Sequence, residues 1–341
     1  MKTAWVKYLL LITGVILFAG CKNHQGNAVA TDDNPIFQSD PALKSITNQI
    51  NNSPNNAALY FERGNALHKM QLDTLAIKDY KMAAKLDSTK AEYFSAVGDL
   101  LFEHKDISGS AEWISKAIAL DPKDRKAHLK VAKLFLYTQD FPKAIEELDK
   151  VLRQDVYNPE AYFLKGMVYE RKKDTARAIS NFLTSVQVSP DYRASIVQLG
   201  LLYSYKKDPI GVRYLENAYK LDSSDVFPVY AEGVYYQTAG DYEKAKEEYR
   251  RCISKNAKYD DAFFNMGAVL MQQDSLEKAF RQFDIVTKID PANSTAYYDR
   301  GVCYEQMNKV SDAINDYKQA YLMDTTYKSP KEALKRLHAK L

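Results

Sequence analysis

A small residue returns along this chain at an almost constant interval, and that interval constrains the fold more tightly than composition does. Gly64, Gly98, Ala132, Gly166, Gly200, Gly233, Gly267 and Gly301 are separated by 34, 34, 34, 34, 33, 34 and 34 residues. A second small position follows twelve residues later at Ala76, Ser110, Ala144, Ala178, Ala245, Ala279 and Ala313, whereas Gly211 follows Gly200 by eleven. Four residues beyond it stand Tyr80, Ile114, Leu148, Phe182, Leu215, Tyr249, Phe283 and Tyr317, all large and apolar or aromatic. Each unit closes on a turn such as Leu120-Asp121-Pro122 or Ile289-Asp290-Pro291. A period of this length is one supersecondary unit, which can bury its apolar faces only against its neighbours. The small residue on one helix lets a second helix come close, and the large residue fills the gap on that helix's facing side. The expected product is a stack of helical hairpins sharing a core that runs along it.

These offsets resemble the tetratricopeptide repeat, whose signature places a Gly, an aromatic, an Ala, a second aromatic and a Pro in this order. The resemblance covers residues 57–326 and implies an all-α fold, a right-handed α-solenoid superhelix of about eight hairpins. The units are 57–90, 91–124, 125–158, 159–192, 193–225, 226–259, 260–293 and 294–326. Pro41-Ala42, Ile46 and Pro54 fit the second half of a unit, so residues 40–56 are expected to hold a capping helix over 40–50 and a linker. At the other end, 327–341 is expected to form a capping helix opened by Ser329-Pro330, with Pro at the first helical position and a Lys-rich outer face.

The first twenty residues read as a secretory signal: Lys2 and Lys7, an apolar run from Tyr8 to Phe18, then Ala19-Gly20. Leu17-Phe18-Ala19-Gly20-Cys21 resembles the lipobox of bacterial lipoproteins, with Phe18 where Leu is commoner. That resemblance implies lipidation of Cys21 as the mature N-terminus and anchoring through acyl chains. Residues 21–39 then form a flexible tether, rich in Asn, Gly, Asp and Thr. Lys22 stands where an Asp would retain many such lipoproteins in the inner membrane, so the expected address is the outer membrane, facing the periplasm.

Charge and motif content narrow the function. The chain holds 47 Lys and Arg against 44 Asp and Glu, with no clustered basic face of the kind that binding a phosphate backbone needs, so nucleic acid is excluded as a partner. No phosphate-cradling glycine loop, His-Glu-x-x-His helix or paired-cysteine knuckle is present, and no cofactor or metal is assigned. His68 and His104 fall in adjacent repeats but read as isolated histidines. Cys252 and Cys303 read as packing thiols, with about one repeat between them. With nearly every residue committed to a hairpin, no segment remains for a catalytic domain, and the chain is read as not an enzyme.

What remains is binding of protein or peptide partners. In the tetratricopeptide family the first helix of each hairpin lines a concave groove, which here implies Phe61, Asn65, Tyr137, Phe163, Arg171, Tyr205, Phe227, Tyr230, Phe264 and Tyr298. Aromatics at repeat spacing suit capture of a peptide's side chains in successive pockets. The competing possibility is that these rings pack on neighbouring helices. The clamp for acidic chaperone tails is not matched, because its places hold Phe61 with Asn65, Ser95 with Asp99, and Leu129 with Lys133. Asp73-Thr74-Leu75, Asp174-Thr175-Ala176, Asp274-Ser275-Leu276 and Asp324-Thr325-Thr326 resemble an O-glycosylation motif of exported Bacteroides-group proteins, though helix capping selects the same residues. A structural, self-assembling homo-oligomer is the rival reading.

Overall fold

The computed structural model describes residues 34–339, so the signal segment, Cys21 and most of the tether lie outside the described residues. Among the described residues there are nineteen α-helices and no strand. The described residues divide into two compact units, with the boundary between Tyr93 and Phe94.

In the first unit, α1 (Ile36–Ser39) and α2 (Pro41–Asn52) precede the hairpin of α3 (Ala57–Lys69) and α4 (Asp73–Leu86). Residues 36–39, expected to belong to a flexible tether, are helical in α1, and Phe37 is buried. Phe37 is held by Arg63, whose guanidinium carbon lies 4.2 Å from the ring centroid. Asp40 starts α2 by accepting hydrogen bonds from the backbone of Ala42 and Leu43, with Pro41 at a position where its missing N–H costs nothing. The capping helix runs on to Asn52, two residues past the expected end.

α5 (Ala91–Glu103) crosses the boundary between the units. The second unit continues through α6 (Ile107–Leu120), α7 (Arg125–Tyr137), α8 (Phe141–Gln154), α9 (Pro159–Arg171), α10 (Thr175–Val188), α11 (Arg193–Tyr205) and α12 (Ile210–Leu221). It ends with α13 (Phe227–Thr238), α14 (Tyr242–Lys255), α15 (Asp260–Gln272), α16 (Leu276–Ile289), α17 (Ser294–Gln306), α18 (Val310–Met323) and α19 (Lys328–Arg336). Each odd-numbered helix from α7 to α17 pairs antiparallel with the next and then stacks on the following hairpin, which is an α-solenoid.

The recurrent small residue fixes how close the two helices of a hairpin lie. A Cβ built on Gly64 would sit 2.6 Å from the ring of Tyr80, one on Gly233 2.5 Å from Tyr249, and one on Gly301 2.8 Å from Tyr317. No side chain larger than hydrogen fits beside those rings. Where the small residue is Ala132, its counterpart is the smaller Leu148, and both are buried. The shortened repeat closes more tightly still: a Cβ on Gly211 would meet the backbone nitrogen of Ser204 at 2.6 Å, so Ala cannot stand there as it does elsewhere.

The hairpin turns repeat as faithfully as the core. Gln71, Lys105, Gln139, Lys173, Lys207, Gly240, Asp274 and Asn308 each hold φ between 53° and 82° just past a first helix. At Lys173 the backbone N–H donates to Glu170 O and that of Asp174 to Tyr169 O, a Schellman closure of α9. Asp174 then caps α10 by accepting from the Arg177 N–H at 3.1 Å, and Asp106, Asp140 and Asp241 do the same for their helices. The four Asp-Ser/Thr motifs take different positions. Asp73 is already inside α4, Asp174 is a cap, Asp274 is left-handed at φ 53°, and Asp324 follows α18 and accepts from Thr326.

The last helix also departs from expectation. It begins at Lys328 behind Tyr327, so Pro330 is its third residue, and it ends at Arg336. Ala333 and Leu334 bury against Ala313 and Tyr317 of α18, which covers the apolar face the last repeat would otherwise expose.

Two outcomes follow from this packing. Gly233→Ala should destabilise the protein by about 1–3 kcal/mol through overpacking, and adding Tyr249→Leu should recover part of the loss, as the Ala132 and Leu148 pair implies. Thermal melting of the two single variants and the double would contradict this if the effects simply added. Lys173→Gly should raise stability by about 0.5–1 kcal/mol, since glycine adopts a positive φ without the steric cost of a Cβ; a lower melting temperature would show that the Lys173 side chain matters more than its backbone.

Candidate functional site: an aromatic cleft on the first helices

The first helices of successive hairpins touch directly, α7 with α9, α11 with α13 and α13 with α15, which puts them on the inner side of the stack. One position on them, three residues before the repeat glycine, carries most of the expected groove aromatics. Those rings are half-buried and each leans on the large residue of its own second helix. Centroid separations are 5.8 Å for Phe163 and Phe182, 6.1 Å for Tyr230 and Tyr249, and 5.5 Å both for Phe264 and Phe283 and for Tyr298 and Tyr317. A second ring at the following turn closes on three of them: Tyr192 on Phe163, Tyr259 on Tyr230, and Tyr327 on Tyr298. In the first unit Phe61 is held likewise by Tyr80 and Tyr93, and the exposed Asn65 accepts a hydrogen bond from Tyr80. The expected groove residues at this position are therefore partly committed to packing within their own hairpin and its following turn.

Tyr205, Phe227 and Tyr230 are the predicted residues that the fold brings into one place. They line a cleft of about 310 Å³ between α11 and α13, with Leu201, Ala231, Val234 and Tyr235 completing an apolar wall. Tyr205, at the end of α11, is 87% exposed and so adds a ring that nothing in the fold requires. Phe227 begins α13 because Asp225 accepts its N–H and Pro228 follows at a position that needs no donor. Tyr230 is fixed by Asn265, whose side-chain amide donates to its hydroxyl at 2.9 Å. Burial is the main cause that raises the Tyr230 phenol above its ordinary value, followed by the nearby charge of Asp261, so the ring stays neutral. A neutral, mostly apolar cleft edged by hydroxyls suits an apolar side chain on a peptide. Tyr137, 67% exposed, and Arg171, also exposed, stand at the ends of α7 and α9, outside this cleft. Phe264 and Tyr298 lie farther along, on α15 and α17.

Ionisable groups in the core are the feature that the sequence reading missed. They occupy the position just before the repeat glycine, which elsewhere holds Val131, Leu199 or Met266. Arg300 there makes a two-pronged bond to Asp316, at 2.8 Å on each oxygen, and also reaches Asp284 and Thr287 on the preceding second helix. Arg63 repeats the arrangement with Asp79 and Thr47 in the first unit. Glu232 holds the same place in α13 but faces Glu248, with Arg251 3.9 Å away, and its Oε1 is buried without a hydrogen-bond partner. Burial first, and then Glu248, lifts the Glu232 carboxyl from 4.5 to about 8. Cys252 and Cys303 are buried free thiols, raised by burial to about 11 and about 12, which keeps them protonated and unreactive. His68 pairs with Asp73 at 2.8 Å.

The carboxyl of Glu232 generates a pH dependence of definite sign. Between about 4.5 and about 8 the folded protein holds this proton while the unfolded chain releases it. Stability contributed by this group therefore falls as pH rises through that window and is level above it. Glu232→Gln should flatten the decline in melting temperature between those limits relative to the unaltered protein; two parallel curves would show that Glu232 is ionised in the folded state.

Comparison with known proteins places this geometry. Residues 129–192 and 230–294 match a family model described as tetratricopeptide repeat, and residues 294–327 match a second model of the same description. A DnaJ homolog subfamily C member 7 homolog from Dictyostelium discoideum is 22% identical over 221 residues, covering 64% of this chain and 37% of that protein. The TPR repeat-containing protein MJ1428 of Methanocaldococcus jannaschii is 22% identical over 271 residues, covering 72% of this chain and 47% of its own length. The chain thus spans less than half the length of either relative. Among solved structures, a tetratricopeptide repeat protein from Parabacteroides merdae superposes with a TM-score of 0.56 at 14% identity, covering 74% of this chain and all of that one. At that identity the likeness speaks for the fold alone.

Proposed function

We propose that this chain, which carries tetratricopeptide repeats, is a non-enzymatic scaffold that captures a peptide or protein partner on the inner face of its first helices. The observation that carries the reading is the cleft between α11 and α13, where a freely exposed Tyr205 joins the half-buried Phe227 and Tyr230 around an apolar wall. Exposed aromatics in a concave setting are the usual anchors of binding, because they bring large contact area at little entropic cost. Tetratricopeptide proteins in general bind protein partners, and the apolar, aromatic lining of this cleft supports the same reading here. In the same proposal, lipid on Cys21 tethers the scaffold to the outer membrane facing the periplasm, where it serves envelope assembly or a cell-wall or secretion complex.

A photo-crosslinking amino acid at position 205, introduced in the native host, should yield a discrete adduct with a partner protein that is lost when Phe227→Ser is added. The same probe at exposed Glu216, on the second helix of that hairpin, should yield none. Equal labelling from both positions would refute the cleft as the capture site. Tyr205→Ala should weaken capture while leaving melting unchanged, because the ring is exposed. Mass spectrometry of the native protein should find acyl chains on an N-terminal Cys21, and an unacylated N-terminus would remove the anchor from the account.

A further inference from the structure

A second cleft lies farther along the second unit, walled by second helices rather than first. Its walls are α14 and α16 and its floor is α15, with a volume of about 440 Å³. The floor is apolar: Phe263, Met266 and Leu270, with Ile253 beside them. Its rim is formed by Arg250 on one wall and by Lys278 and Arg281 on the other, all exposed. None of the three cations takes part in an ion pair among the described residues. Glu243 lies close enough to feel the charge of Arg250, but bonds instead to Lys246 and Gln273.

The repeat itself supplies the control. The corresponding positions one junction earlier are Glu216, Lys244 and Glu247, and one junction later Asp284, Asp312 and Asn315. The same backbone arrangement therefore carries mixed charge on one side and acidic charge on the other, so three cations are not a requirement of the fold. Left unpaired around an apolar floor, they favour a ligand that presents carboxylates about an apolar side chain, since its charges would be steered and oriented while its side chain leaves water.

We infer that this cleft is a second docking site, for an acidic amphipathic segment of a partner protein, independent of the inner aromatic cleft. Its occupant would lay one or more apolar side chains on Phe263, Met266 and Leu270 and set carboxylates against Arg250, Lys278 and Arg281. The two clefts share no lining residue, so two partner segments can be held at once.

The test uses the folded protein and three probes: a fluorescent helical peptide with Leu at every third and fourth position among glutamates, the same peptide with Lys for each Glu, and phosphatidylglycerol vesicles. Fluorescence anisotropy should show binding of the acidic peptide and not the basic one, weakening as salt is raised. Arg250→Gln, Lys278→Gln and Arg281→Gln together should weaken it about tenfold or more without changing the melting temperature. Tyr205→Ala should leave it unchanged, which separates this site from the inner cleft. Failure of the acidic peptide to bind, equal binding by the triple variant, or triple-dependent binding of vesicles but not of peptide would each overturn the proposal.

Discussion

The contact between a residue with almost no side chain and a large one sixteen positions later is the constraint on which the structure depends. Where Gly233 meets Tyr249 and Gly301 meets Tyr317, the ring lies where a Cβ would have to be. That approach brings the two helices of a hairpin into close contact and leaves each hairpin with apolar flanks that only the next can cover. Stacking is then the sole way to bury them, and Leu334 on α19 covers the final flank where the repeats end. The buried arginine at the same register, Arg63 or Arg300, ties a hairpin to the helix before it through carboxylate and hydroxyl groups rather than through apolar contact.

The half-buried rings on the first helices are a by-product of that geometry. The rings three residues before the glycine recur on the first helices, each partly committed to its own hairpin. A ring so fixed has little conformational freedom left to lose when a ligand arrives. Tyr205 is different, since it belongs to the shortened repeat and is 87% exposed, so little of its ring is committed to the core. The contrast separates residues that build the groove from residues that are available to it.

Much of this was legible in the sequence, and the reasons are physical. The spacing of Gly64 through Gly301 reports helix approach directly, because steric exclusion tolerates nothing larger than Gly or Ala at those positions. The hairpin turns were less legible: glycine stands at the left-handed position only at Gly240, and Gln71, Lys105 and Lys173 carry no local sign of positive φ. The groove list mixed two kinds of aromatic, since periodicity places Tyr230 and Tyr205 on first helices but cannot say which ring has neighbours. Glu232 escaped notice because an acid beside a glycine reads as surface, and only the fold shows it enclosed between helices with Glu248. The ends were misjudged for a similar reason: Phe37 looks like part of a polar tether until Arg63 is seen against its ring.

Tyrosine nitration of the folded protein, mapped residue by residue by mass spectrometry, tests the division between scaffold and available rings most directly. Tyr205 and Tyr137 should react early, while Tyr80, Tyr249 and Tyr317, enclosed against their glycines, should stay unmodified until the protein unfolds. Modification of Tyr249 or Tyr317 at the rate of Tyr205 under folding conditions would contradict the account, because the ring that sets the helix spacing would then be open to solvent.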